Sequence, residues 1–204
     1  MAEYVYTSLD NASVITSKYM DIARSSILFL DRDGIIIKDV GHISKIEDVE
    51  LVPGIDRLIL RLKDAGMLIV VVTNQASVPR GIISVDKYIE LTTHMLCLLG
   101  ESTPDMILSS FYHPIFSKTN CNSSWRKPGS GMFRYALDIL DVDINKCIMI
   151  GDRPSDVLAA EAVGISTNYL LKTERYADEI CLYKVNNKIR GKGFKLINSL
   201  DNVG

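Results

Sequence analysis

The run Met67-Leu68-Ile69-Val70-Val71-Val72 constrains the fold more than any other stretch of the chain. It is apolar throughout and ends in Thr73-Asn74. A strand with polar residues at alternate positions can keep one face in water. A strand without them needs cover on both faces. Leu68 to Thr73 is therefore predicted to be a buried strand with helices packed above and below it.

The neighbouring sequence supplies those helices. Pro53-Gly54 opens a predicted helix in which Ile55, Leu58, Ile59 and Leu62 share one face, and Gly66 stops it. Ser84 is placed to cap a second helix reaching about Leu99, with Gly100 as its stop. Gly131 to Leu140 and Pro154 to Val163 are also predicted helices, the latter stopped by Gly164. Strands are predicted at Ser26 to Leu30, Met106 to Tyr112, Lys146 to Ile150 and Ile165 to Leu170. Residues 113–125 are polar and aperiodic and read as a loop. Alternation at this spacing predicts an α/β chain with a doubly wound parallel sheet and right-handed crossovers. One domain over 1–204 is expected, its core at about 26–170. Segments 1–24 and 171–204 are expected to pack as accessory helices or ribbons.

Bulk properties remove several function classes. The net charge of -2 provides no basic field for nucleic acid. The longest apolar run, Met67 to Val72, is too short to span a bilayer. Met1 to Tyr6 show no basic region followed by an apolar stretch, so no targeting signal and a cytoplasmic location are expected. The four cysteines are scattered without a CxxC pair, as in a reduced protein. Cys97 and Cys147 sit in apolar runs and are expected in the core.

Four polar clusters fall where strands end or helices begin. These are Asp31-Arg32-Asp33-Gly34, Thr73-Asn74, Arg126-Lys127-Pro128-Gly129 and Gly151-Asp152-Arg153-Pro154-Ser155-Asp156. Each alone is an ordinary polar turn or a well-capped helix start. Together they place carboxylate, hydroxyl, lysine and carboxylate at the strand carboxyl ends, where open α/β sheets bind ligands.

The ordered set Asp31-x-Asp33-Gly34, Thr73, Lys127 and Gly151-Asp152 resembles the haloacid dehalogenase superfamily of phosphatases. Thr73-Asn74-Gln75, Arg80-Gly81, Arg126-Lys127-Pro128 and Gly131-Met132 are similar to the D-glycero-D-manno-heptose 1,7-bisphosphate 7-phosphatases, a subgroup shared with histidinol-phosphate phosphatases. The resemblance implies a Rossmann-like fold without a large cap domain. It implies a hydrolase acting on a small phosphorylated metabolite, with no nucleic-acid or membrane partner. Asp31 would be the nucleophile, and Asp33 would protonate the leaving alcohol and then activate water. Thr73 and the Asn74 amide would bind phosphoryl oxygens, and Lys127 would neutralise charge and orient Asp31. Mg2+ would be held by Asp31, Asp152 and the Asp33 backbone carbonyl. Asp156 would support that site or cap its helix. Arg80, Arg126 and Arg153 would hold a second phosphate or sugar hydroxyls.

Within that resemblance the favoured substrate is the heptose 1,7-bisphosphate at its 7-phosphate. Histidinol phosphate or another small phosphomonoester is the alternative, as is a non-catalytic protein that binds a phosphorylated ligand. The chain departs from the subgroup in its loops. Ile35, Ile36 and Ile37 stand where an Asn is usual, and Gly41-His42 stands for Gly-Tyr. Ser110, Tyr112, Ser123 and Trp125 occupy the slots of a structural zinc set, so no structural zinc is expected. Trp125 and His113-Pro114 would order that loop instead.

Overall fold

The computed structural model describes residues 3–21, 23–188 and 193–203. Met1 and Ala2, part of the stretch read for a targeting signal, lie outside the described residues. Strand β3 (Ser26–Leu30) pairs in parallel with β4 (Met67–Asn74) on one side and β6 (Ile148–Gly151) on the other. β5 (Met106–Ser110) continues beyond β4, and β7 (Thr167–Leu171) and β8 (Lys195–Ile197) continue beyond β6, all parallel. The chain thus works outward from β3 to β5 and then restarts on the opposite side of β3. The carboxyl ends of β3 and β6 flank that reversal, where an open α/β sheet leaves a crevice.

Both faces of the sheet are covered, as the unbroken apolar runs require. Leu28, Leu30, Ile69 and Val71 point into one core, with α1 (Ile55–Asp64) and α2 (Val85–Leu99) over it. Ile27, Phe29, Val70 and Val72 point into the other, with α3 (Gly131–Ile139) and α4 (Pro154–Glu161) over it. Gly54 and Gly66 bracket α1 with φ of 85° and 84°, a left-handed conformation that suits glycine. The Ser84 hydroxyl accepts from Lys87 N at 3.0 Å and caps α2 as expected.

Several expectations need correction. β5 stops at Ser110, and β6 starts at Ile148 because residues 144–146 form a short 3-10 turn headed by Asp143. Ile165 packs in a core while pairing begins at Thr167. Cys97 is exposed, unlike buried Cys147. The buried face of α2 carries Tyr88, Leu91, Met95 and Leu99, and Cys97 lies off it.

The sheet is also not wholly parallel. β1 (Tyr4–Leu9) and β2 (Ala12–Ser17) form a hairpin, and β2 runs antiparallel to β5. The N-terminal segment is therefore a ribbon that extends the sheet to eight strands. The C-terminal segment supplies α5 (Ala177–Lys188) and β8. No described helix is long and apolar enough to cross a membrane.

The hairpin turn also holds the 113–125 loop. Asn11, at φ 56°, donates from Nδ2 to Thr119 O, Thr119 Oγ1 and Cys121 O at 3.2, 3.0 and 3.3 Å. Asn122 Nδ2 donates to Asp10 O at 2.9 Å. Trp125 is buried at the loop's end, its ring centroid 5.2 Å from that of Tyr135. Asn11→Ala removes the Asn11 bonds and leaves those to Asp10, costing about 1–2 kcal/mol. Trypsin should then cleave native protein several-fold faster at Lys118. An unchanged cleavage rate would show that the tether does not order the loop.

Candidate active site

Asp31 leaves β3 directly, and its backbone N donates to Ile150 O of β6 at 3.0 Å. That bond ties the two strand ends on which the acidic residues sit. Asp152 follows β6, and Asp156 lies in the first turn of α4. Oxygens of Asp31, Asp152 and Asp156 all lie within 4.8 Å of one another, and all three residues are buried.

Lys127 is the counter-charge. Its Nζ lies 2.9 Å from Asp31 Oδ1, 2.7 Å from Asp156 Oδ1 and 2.7 Å from Val72 O. Burial opposes its charge, but Asp156 and Asp31 outweigh that and hold it above the usual lysine range. Asp156 Oδ2 also accepts from Arg153 N at 3.0 Å, capping α4. It therefore serves both the cap and the acidic cluster.

Three carboxyl groups facing one ammonium cannot all ionise without leaving a buried excess of negative charge. Burial pushes Asp31 up to about 7 despite Lys127. Burial, then the charges of Asp31 and Asp156, push Asp152 up to about 9. Neither Asp152 oxygen has a hydrogen-bond partner. Buried carboxylate oxygens without partners are costly unless a cation meets them. A hard divalent ion such as Mg2+, which takes oxygen ligands, fits this donor set. Glycines make the space. A Cβ on Gly34, at φ 87°, would land on the Asp152 carboxylate, and one on Gly151 would land on Asp156.

Asp33 is turned away from the trio. Its Oδ1 accepts from Arg32 Nε and Nη2 at 3.1 and 2.8 Å, and its Oδ2 accepts from Gln75 Nε2 at 2.8 Å. Arg32, buried over the Tyr88 ring at 5.5 Å, also donates to Gln75 Oε1 at 3.0 Å. Any contact of Asp33 with a cation in the cluster therefore falls to its backbone carbonyl.

Asp31, Asp33, Lys127 and Asp152 surround a pocket of about 180 Å3, and Asn74, Arg126 and Arg153 line its walls. Two expectations for the walls change, those for Thr73 and Arg80. Thr73 is fully buried behind the lining, its Oγ1 accepting from Gln75 Nε2 at 2.8 Å. The Asn74 side chain clamps the Lys127 backbone, donating to its O at 3.0 Å and accepting from its N at 2.9 Å. Arg80 is outside the lining, drawn toward His113 Nε2 at 3.3 Å and the Phe116 ring at 5.7 Å. Arg126 remains in the wall, donating from Nη1 to Tyr112 O at 3.3 Å. Burial and the charges of Arg153 and Arg80 hold it below the usual arginine range, so an anion would be welcome beside it. Ile35, Ile36 and Ile37 are core residues, which is why a polar residue is absent there.

Sequence reasoning missed Asp39, Ser77, Arg175 and Tyr176, which also line the pocket. His42 lines it too, and its Nδ1 lies 2.8 Å from Ser77 Oγ.

A carboxylate nucleophile candidate at a central strand end, a lysine clamping it and a cation-fitting acidic trio define a phosphate-handling α/β hydrolase. The comparisons with known proteins agree. The Hydrolase_like family model, described as HAD-hyrolase-like, matches residues 124–189. The chain is 34% identical over 154 residues to a D-glycero-beta-D-manno-heptose-1,7-bisphosphate 7-phosphatase of Haemophilus ducreyi, covering 72% of this chain and 82% of that protein. It is 36% identical over 152 residues to a D-glycero-alpha-D-manno-heptose-1,7-bisphosphate 7-phosphatase of Photorhabdus laumondii, again covering 72% and 82%. The solved structure of a D,D-heptose 1.7-bisphosphate phosphatase from B. bronchiseptica, complexed with magnesium and phosphate, superposes with a TM-score of 0.72 at 25% identity, covering 88% of this chain and 95% of that one. The chain belongs to the haloacid dehalogenase-like phosphatases.

Proposed function

We propose that this protein is a Mg2+-dependent sugar bisphosphate phosphatase working through a phospho-aspartyl intermediate on Asp31, acting in the cytoplasm as a single domain. The observation that carries the reading is the buried trio Asp31, Asp152 and Asp156 around Lys127, opening into a pocket walled by Arg126 and Arg153. Asp31, Asp152 and the Asp33 carbonyl would hold the cation, which when bound offsets the repulsion between a carboxylate and a phosphate dianion.

The protein's own groups account for the rest. Lys127 and Arg32 N both engage Asp31 Oδ1, which leaves Oδ2 to attack phosphorus. The P–O ester bond breaks as the new P–O bond to Asp31 forms. The leaving alkoxide takes a proton from Asp33, which must exchange part of its contact with Arg32 and Gln75 to reach it. In the second step Asp33 accepts a proton from water as that water displaces Asp31 from phosphorus. Asn74 keeps Lys127 aimed by gripping its backbone.

The favoured substrate is D-glycero-D-manno-heptose 1,7-bisphosphate, hydrolysed at the 7-phosphate. It takes its support from the names of the relatives and from Arg126, a guanidinium crowded by like charge in the pocket wall. Purified protein with Mg2+ should prefer this bisphosphate to monophosphates in a panel of phosphorylated metabolites. Arg126→Ala should cut that preference about tenfold, which is about 1.4 kcal/mol. A tenfold preference for histidinol phosphate would overturn the substrate assignment and leave the phosphatase reading standing.

A further inference from the structure

The segment after β7 turns back over the pocket and brings Arg175 and Tyr176 into its lining. Both engage one carboxylate. Tyr176 OH donates to Asp39 Oδ2 at 2.9 Å, and Arg175 Nε lies 3.2 Å from the same oxygen. Asp39 is itself fixed, since its Oδ1 accepts from Gly41 N at 2.8 Å. Arg175 is braced on two further sides. Its guanidinium carbon sits 5.8 Å from the Tyr176 ring centroid, and its Nη1 and Nη2 pack over Gly41, 3.6 and 3.5 Å from where a Cβ would stand. The Tyr176 ring also carries Arg153 at 4.7 Å, which is held in turn by Glu179 at 3.1 Å.

An isolated surface ion pair would not need this framework. Here a carboxylate, an aromatic ring and a bare glycine backbone each restrict one guanidinium. With Nε occupied by Asp39, the Nη hydrogens are the donors left for an anion in the pocket that Arg175 and Gly41 line. An arginine ordered before binding gives up little conformational freedom when an anion arrives. The pocket it lines is the one headed by Asp31, so the scissile phosphate sits at the carboxylates and the leaving group extends along the walls.

We propose that Arg175 is a specificity-determining residue that grips a second anionic group on the leaving-group side of the substrate, with Asp39 and Tyr176 as its positioning residues. The proposal rests on the phosphatase reading above and does not depend on which sugar is the substrate.

The test is the ratio of kcat/KM for sugar bisphosphates to that for the matching monophosphates, measured over several sugars with wild type, Arg175→Gln and Tyr176→Phe. Arg175→Gln should lower the ratio at least fivefold, with the change carried in KM for the bisphosphate. Tyr176→Phe, which keeps the ring and loses only the bond to Asp39, should lower it by a smaller factor in the same direction. A ratio unchanged in Arg175→Gln, or equal losses on both members of each pair, overturns the proposal. A ratio unchanged in Tyr176→Phe removes the positioning role. If wild type favours a sugar other than the heptose, the substrate assignment falls while the ratios still decide the role of Arg175.

Discussion

Asp31→Asn should reduce Mg2+-dependent hydrolysis by roughly four orders of magnitude or more, the scale of losing a nucleophile. The substitution keeps the size and shape of the side chain, and its amide oxygen can still meet Lys127 Nζ and Arg32 N. What it loses is the ability to form the acyl phosphate. The fold should survive, because the substitution is isosteric and the Asp31 backbone bond to Ile150 O that ties the strand ends is unchanged. Wild-type protein quenched in acid during turnover should carry one phosphoryl group at Asp31, seen by mass spectrometry of the peptide, and the variant should carry none. Near-normal turnover by Asp31→Asn would remove the covalent mechanism altogether.

Asp152→Asn should separate stability from activity. Asp152 is buried, both its oxygens lack partners, and its carboxyl is pushed up to about 9. An acid whose folded-state pKa lies above its unfolded value keeps a proton that the unfolded chain has lost. Unfolding then releases a proton, so stability falls as pH rises. For Asp152 this loss runs from about pH 4 up to about 9. In EDTA, wild-type Tm should therefore decline across this interval more steeply than that of Asp152→Asn, and the variant should be the more stable protein at pH 8. Each kcal/mol is worth about 2–4 °C at this chain length. Added Mg2+ should raise wild-type Tm more at pH 8 than at pH 6, since it competes with the proton for the same oxygens. It should hardly move the variant, whose turnover should be lost. Parallel pH profiles for the two proteins in EDTA would sink this account.

Much of this was legible because it depends on local periodicity. The unbroken run at Met67 to Val72 announced a strand covered on both faces, and Asp31, Lys127 and Asp152 stood at the element ends where a site would form. The misreadings at the site share one cause, which is capture of a side chain by a partner that strand and helix periodicity does not announce. Gln75, only two residues on, donates to the Thr73 hydroxyl behind the pocket wall, and His113 and Phe116 draw Arg80 away. Arg175 and Tyr176 meet Asp39 across more than a hundred residues of chain, which no window of sequence displays. Residues 1–24 were expected only as accessory helices or ribbons, although a signal for the hairpin is present there. Tyr4 and Tyr6 alternate with Val5 and Thr7 up to the turn residues Asp10-Asn11, the pattern of a strand entering a turn.

The pairing of β3 with β6 has a consequence for how the molecule is made. The strand that presents Asp31 is complete by residue 30, yet one of its two neighbours is formed by residues 148–151. A nascent chain that has not yet delivered β6 can assemble β3, β4 and β5 and still leave one edge of β3 open. That edge belongs to Leu28, Phe29 and Leu30, which become fully buried only in the finished sheet. Long-range parallel pairing is slow to form, and an open apolar edge invites pairing with other chains. Fragments ending before residue 148 should accumulate as aggregates, and slowing synthesis late in the message should lower soluble yield more than slowing it early.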